Sequence, residues 1–443
     1  MSAAGPPPGA HCAPSGGVGA HHLSANIVAA IDPGALTGPR FAALPPLALY
    51  VHIPWCARKC PYCDFNSHEA KGDIPEAEYV DALFTDLELA LPSIWGRRVV
   101  SVFIGGGTPS LFSAAAIDRL LSGIRARVPL APDAEITLEA NPGSFERDKF
   151  SGFRSAGVNR LSLGVQSFNP KHLAALGRVH DDHEARRAAD AALTIFGNVN
   201  FDLMYALPRQ TLAEAEEDLA TALQFAPPHL SFYHLTLEPN TLFHRHPPTL
   251  PDEDTSADIE DAIHATLIGA GYRHYETSAY ARTGRECRHN LNYWRYGDYL
   301  GIGAGAHSKL SFADRIVRQV RYKQPKQYLE SIAADEPLME DTLVTRADVG
   351  FEFMLNALRL TEGVPATLFA ERTGYSLALV QRELAGAQAR GLIERDPSTI
   401  RPTELGRRFL NDLQAMFLVA TSKRRNKVSD EPIVVFSNPD GLT

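Results

Sequence analysis

From Tyr50 onward, short apolar runs alternate with longer amphipathic stretches. The runs Leu49–Ile53, Val99–Ile104, Glu135–Glu139, Arg160–Val165, Val199–Met204 and His229–Leu237 are rich in β-branched and aromatic residues and read as strands. Between them, Glu78–Ala90, Ala114–Arg127 and Leu212–Phe225 carry apolar residues at helical spacing. Strand–helix alternation implies parallel strands covered by helices. Six such repeats fall short of the eight of a closed barrel, so the pattern predicts an α/β fold built as a partial (β/α)6 barrel. The active face of such a barrel lies at the carboxyl ends of its strands.

The flanks read differently. Residues 1–45 are rich in Gly, Ala, Pro and Ser and show no periodicity, the pattern of a disordered lead-in. Cys12, His11, His21 and His22 fall in it and read as an unused tail. The barrel with an accessory segment is assigned to 46–335. Residues 336–420 form a small, mostly helical module. Its helices are expected over Phe351–Leu360, Pro365–Glu371 and Ser376–Arg390, and a hairpin over Leu392–Arg395 and Thr399–Arg401. That order resembles a winged helix. Thr345 and Asp348 have capping-box-like spacing before the first helix. Residues 421–443 read as a tail whose Lys423–Lys427 run is solvated charge.

Composition narrows the function. The 443 residues are 44% hydrophobic and 21% charged, ordinary for a globular protein. A net charge of −9 argues against non-specific nucleic-acid binding, and the module's charges nearly balance. No apolar run reaches the roughly 18 residues of a membrane span. Transient membrane contact stays open. The amino terminus lacks the pattern of a secretory signal, and a cytoplasmic location is expected.

Three of the five cysteines fall within eight residues, in Tyr50-Val51-His52-Ile53-Pro54-Trp55-Cys56-Ala57-Arg58-Lys59-Cys60-Pro61-Tyr62-Cys63. An odd, clustered set points to metal rather than disulfides. The Cys-x3-Cys-x2-Cys spacing follows a strand, so the thiolates lie in the loop at its carboxyl end. Thiolates favour iron–sulfur clusters or zinc. A structural zinc wants four protein ligands. His52 or His68 could be the fourth, which keeps a zinc-bound interaction module as an alternative. Three thiolates on a cubane instead leave one iron open to a small chelating ligand.

Polar or glycine-rich signals recur at the following strand ends: Gly105-Gly106-Gly107-Thr108-Pro109, Glu139-Ala140-Asn141-Pro142, Gly164-Val165-Gln166-Ser167 with Arg178 beyond it, and Asp202 in Phe201–Tyr205. One such signal means little, since a strand-end carboxylate often caps a helix. Four in succession suggest one lined pocket. Gly301–Ser308 reads as a tight turn near it, with His307 a further candidate.

The cysteine motif before a partial barrel resembles the radical S-adenosylmethionine superfamily. The strand-end motifs are similar to those of the oxygen-independent coproporphyrinogen III oxidase family, over about Leu47–Leu418. The resemblance implies a [4Fe–4S] cluster on Cys56, Cys60 and Cys63. It implies S-adenosylmethionine in contact with Tyr50, Tyr62, Gly106, Gly107, Thr108, Glu139, Gln166, Arg178, Asp202 and Thr236. In that superfamily the cofactor's amino and carboxylate groups chelate the fourth iron.

Two features resemble the family's haem-chaperone branch, HemW, rather than its oxidases. Oxidases carry a further Cys two residues after the third ligand, where this chain has Phe65. The sequence His289-Asn290-Leu291-Asn292-Tyr293-Trp294 matches that branch's His-Asn-x-x-Tyr-Trp pattern. The resemblance implies haem as cargo, acceptor haemoproteins and a low-potential electron donor as partners. Radical oxidative decarboxylation of coproporphyrinogen III is the alternative. His289, Tyr293, Trp294 and Cys287 are the haem candidates, since imidazole or thiolate can ligate iron and aromatics pack on a macrocycle. A buried polar-aromatic corner is the competing reading of the same residues.

Overall fold

The computed structural model describes residues 38–143 and 146–418. Both the start of the expected lead-in and the expected tail from residue 421 lie outside them. From Pro39 to Leu418 the described residues pack as one unit. Already at Arg40 the backbone N–H donates to Gly374 O at 2.8 Å.

The six expected strands form, as β1 Leu47–Ile53, β2 Val99–Gly106, β3 Leu130–Ala140, β4 Arg160–Gln166, β5 Val199–Tyr205 and β6 His229–His234. They pair in parallel and in chain order. The partial (β/α)6 barrel is therefore present, extended at both edges. Beyond β6, Ala279–Ala281 and Arg273–Glu276 add antiparallel. Beyond β1, Asp298–Ile302 joins in parallel, with Tyr50 opposite Gly301. His307–Ser311, Ile316–Arg321 and Leu338–Leu343 continue antiparallel to give a 12-stranded sheet.

Alternation along the strands divides two environments. Val51, Ile104, Leu138, Leu163, Phe201 and Phe232 point outward into the main apolar core, together with residues of the covering helices such as Leu83, Leu120 and Leu219. Several of the intervening residues, Thr137, Ser162, Asn200, Asp202, His229 and Ser231 among them, are polar and face inward. Asn200 Nδ2 donates to Ser162 Oγ at 2.8 Å and to Asp202 Oδ1 at 2.7 Å. His229 Nδ1 donates to Asn200 Oδ1 at 2.6 Å and its Nε2 accepts from Tyr275 OH at 2.8 Å. A polar interior of this kind persists only because its groups are paired.

The carboxyl-terminal module has helices at Val349–Ala357, Thr367–Thr373 and Gln381–Ala389, close to expectation. The expected hairpin forms, with Glu394 N donating to Arg401 O and Thr403 N to Leu392 O, both at 2.9 Å, and takes on a third part. Thr399–Ile400 pairs with Val364–Pro365, while Ile393 meets Pro402 in a single bridge. Val364, Ile393 and Ile400 share the module's apolar core, and closing that core favours the three-part arrangement over a lone hairpin. Among the described residues no helix is long and apolar enough to cross a membrane.

Candidate functional site

A cavity of about 410 Å3 opens at the carboxyl ends of the six strands. Cys56, Cys60 and Cys63 form one wall of it. Their loop leaves β1 and is closed on itself. His68 N donates to Pro54 O at 2.7 Å and Ala70 N to Cys56 O at 2.9 Å, making a short parallel pair of Trp55–Cys56 with His68–Glu69. A turn from Cys63 N to Cys60 O, 3.2 Å, bends the segment between the last two cysteines.

Burial pushes the Cys56 thiol up and the Cys63 thiol up to about 11, so both would be neutral without a metal to draw the proton off. Among the described residues no three His, Cys, Asp or Glu side chains converge on a point fit for one metal ion. In a cubane each of three thiolates takes a different iron, whereas a structural tetrahedral zinc takes a fourth protein ligand. Neither histidine is free to complete a zinc shell. His52 Nδ1 faces Tyr50 OH at 3.0 Å and its Nε2 donates to Asn66 O at 2.9 Å. His68 Nε2 bonds Asn66 Oδ1 at 3.3 Å. The donor set therefore fits a three-thiolate cluster.

The glycine loop lies against the cysteine loop. Gly107 N donates to Ile53 O at 2.8 Å and Thr108 N to Trp55 O at 2.7 Å. At Gly106, φ is +115° and a Cβ would stand 2.5 Å from the His52 ring. At Gly107 a Cβ would stand 2.5 Å from Trp55 O. Side chains are excluded at both positions, leaving bare backbone toward the cavity.

Glu139 Oε2 accepts from Gly106 N at 3.0 Å, tying β3 to this loop. Thr108 Oγ1 accepts from Asn141 Nδ2 at 2.9 Å. Arg178 is fixed by Asn141 Oδ1 at 2.7 Å and Gly164 O at 2.8 Å, and its third contact is Cys60 Sγ at 3.6 Å. Gln166, with φ +67°, and Thr236, donating to Glu238 Oε1 at 2.8 Å, complete the far wall. Asp202 sits in the floor, where burial raises its carboxyl although Ser162 and Asn200 donate to it. Tyr62 packs on Phe243 with centroids 6.3 Å apart.

The structure thus gathers nine of the residues implied for S-adenosylmethionine around one cavity and places Tyr50 outside its wall. Tyr50 is buried with Phe103, Cys287 and Ala306. Sequence reasoning did not single out Tyr233 or Lys149, which also line the cavity. Tyr233 was legible as an inward position, two residues past Ser231. Lys149, on the helix Glu146–Ala156, had no such signal.

The haem candidates lie at the opposite end of the barrel. Cys287, His289, Tyr293 and Trp294 are all buried. His289 Nδ1 bonds Ser101 Oγ at 2.9 Å and Nε2 bonds Tyr293 OH at 3.1 Å, which occupies both ring nitrogens. Cys287 Sγ faces Glu135 Oε1 at 3.5 Å. Arg359 lies over the Trp294 ring at 4.3 Å. As placed, these residues form the polar-aromatic corner, and no face of theirs is open to a macrocycle. His307, half-buried, falls at the start of the strand His307–Ser311, between Asp298–Ile302 and Ile316–Arg321, rather than on the cavity wall.

The comparisons with known proteins agree with this geometry. Residues 50–222 match the radical SAM superfamily model, and residues 344–409 match the HemN C-terminal domain model. The chain is 49% identical to the heme chaperone HemW of Escherichia coli over 85% of its own length and 99% of that protein's. It is 34% identical to the heme chaperone HemW of Bacillus subtilis over 83% and 98%. Coproporphyrinogen III oxidase (HemN) from Escherichia coli, described as a radical SAM enzyme, superposes with a TM-score of 0.72 at 26% identity, covering 85% of this chain and 91% of that one.

Proposed function

Given that the chain belongs to the HemW family within the radical SAM superfamily, we propose that it binds haem and passes it to acceptor haemoproteins in the cytoplasm. Cys56, Cys60 and Cys63 hold a [4Fe–4S] cluster, and S-adenosylmethionine occupies the cavity beside them. When bound, cluster and cofactor supply one-electron cleavage of the S–C5′ bond, fed by a low-potential electron donor. The chain's own residues bind and orient. Bare backbone at Gly106 and Gly107 lets a ligand approach closely. The Arg178 guanidinium offers charge to a carboxylate, and Glu139 keeps the glycine loop in place. Asp202 offers carboxylate oxygens from the floor.

One observation carries the choice between chaperone and oxidase. Phe65 lines the cavity at the position where the oxidases have a further cysteine. A phenyl ring supplies neither a ligand nor a nucleophile there. The test is to give cluster-loaded protein coproporphyrinogen III, S-adenosylmethionine and a strong reductant under anaerobic conditions. Absence of protoporphyrinogen, from protein that binds haem, is the expected result. Its formation would make the protein an oxidase despite Phe65.

A further inference from the structure

Asp202 borders the cavity, and behind it a single file of polar groups crosses the barrel interior to Cys287. Cys287 N donates to Tyr275 OH at 3.3 Å. Tyr275 OH lies 2.8 Å from His229 Nε2, His229 Nδ1 lies 2.6 Å from Asn200 Oδ1, and Asn200 Nδ2 lies 2.7 Å from Asp202 Oδ1. His229 and Asn200 stand opposite each other across the parallel pair β6 and β5. Tyr275 comes from the strand Arg273–Glu276, added beyond β6. Tyr275, His229 and Asn200 are buried, while Asp202 is half-buried, so the file meets the cavity only at its carboxylate end.

Chemistry sets the direction of every bond in this file. A backbone N–H only donates and a carboxylate only accepts, so neither end can reverse. The amide atom facing Asp202 is therefore Nδ2, and the amide oxygen faces His229. His229 then carries its proton on Nδ1. Burial, then the Arg160 charge, push its imidazole well below the usual range, so the ring is neutral and Nε2 keeps a lone pair for the Tyr275 hydrogen. Asn200 Nδ2 also donates to Ser162 Oγ at 2.8 Å, which leaves the Ser162 hydrogen for Asp202 Oδ2 at 2.9 Å. Burial raises the Asp202 carboxyl, and the donors Ser162 and Asn200, with the Arg160 charge, oppose that rise. Both oxygens of Asp202 are thus held from behind by groups whose own orientation depends on His229.

We propose that His229, backed by Tyr275, is a positioning residue for the cavity: it locks the Asn200 amide so that Asp202 meets hydrogen-bond donors of bound S-adenosylmethionine as an ionised, oriented acceptor. The assignment rests on the S-adenosylmethionine reading above. It also links the Cys287–Trp294 segment to the cavity, since Cys287 N closes the far end of the file.

The experiment is anaerobic equilibrium binding of S-adenosylmethionine to the cluster-loaded full chain, with iron content measured on each variant. Asn places an amide nitrogen where His has Nδ1, whereas Gln places one where His has Nε2. His229→Gln should weaken binding about tenfold, and His229→Asn, which keeps the donor to Asn200, no more than about threefold. In an Asp202→Ala background His229→Gln should cause no further loss, because the group it acts through is gone. Equal losses in the two single variants, or losses that add in the Asp202→Ala background, are the marks of a structural role and overturn the assignment. Should His229→Gln take up no cluster, Tyr275→Phe replaces it: binding about threefold weaker is expected, with no further loss in the Asp202→Ala background, and unchanged affinity overturns the assignment. A parent protein of full iron content that binds no S-adenosylmethionine overturns the reading of the cavity itself.

Discussion

Arg178 Nη1 lies 3.6 Å from Cys60 Sγ, while its Nη2 is held by Asn141 Oδ1 and Gly164 O. One guanidinium thus links the ends of β3 and β4 to the cysteine loop. A cation donating to a cluster thiolate stabilises the reduced, more negative cluster. Arg178→Met should therefore lower the cluster's reduction potential. A shift on the order of 60 mV corresponds to a tenfold change for one electron. Potentiometry without the cofactor reads it, and an unchanged potential would contradict the role.

Asp298 opens the strand Asp298–Ile302, which joins β1 to His307–Ser311. It is fully buried, with Lys309 Nζ at 2.9 Å and Arg97 Nη1 at 2.8 Å, and it accepts from Ser311 N at 2.8 Å. Removing the carboxylate leaves Lys309 buried without a counter-charge, held only by Tyr296 O and Gly297 O. Asp298→Ala should cost about 3–5 kcal/mol in urea melts. Adding Lys309→Met should recover much of that loss, and a double variant no more stable than the single one would refute the pairing.

His289 gives a pH dependence whose sign is fixed. Burial, then the nearby Arg160 charge, push its imidazole down to about 3. In the unfolded chain it titrates near 6.5. Between those values the unfolded chain binds a proton that the native one refuses. The contribution is complete above 6.5 and is lost as pH falls toward 3. From pH 7 to 5 the parent should lose about 2 kcal/mol more than His289→Gln. Equal losses would show that His289 is not held neutral.

Much of the fold was legible because the six parallel strands are buried on both sides and separated by amphipathic helices. The cavity was legible because close approach needs glycine at Gly106 and Gly107, and its polar residues sit at strand ends. The strand Asp298–Ile302 was not legible. Its partner β1 lies far away in sequence, and Gly301, with the glycines that follow it, reads as a turn. Gly301 is nonetheless required there, since a Cβ would stand 2.1 Å from His307 O. The His289 segment was ambiguous in sequence because a buried hydrogen-bonded histidine and an iron ligand share the same residue type. Only its two occupied nitrogens separate them.

The most direct test of the account is haem delivery. Cluster-loaded protein is charged with haem, freed of excess by gel filtration, and mixed anaerobically with an apo-haemoprotein while the acceptor's spectrum is followed. The account predicts that haem stays with the protein through filtration and then appears in the acceptor. Protein that emerges without haem, or that holds it and never releases it to an acceptor, would contradict the account.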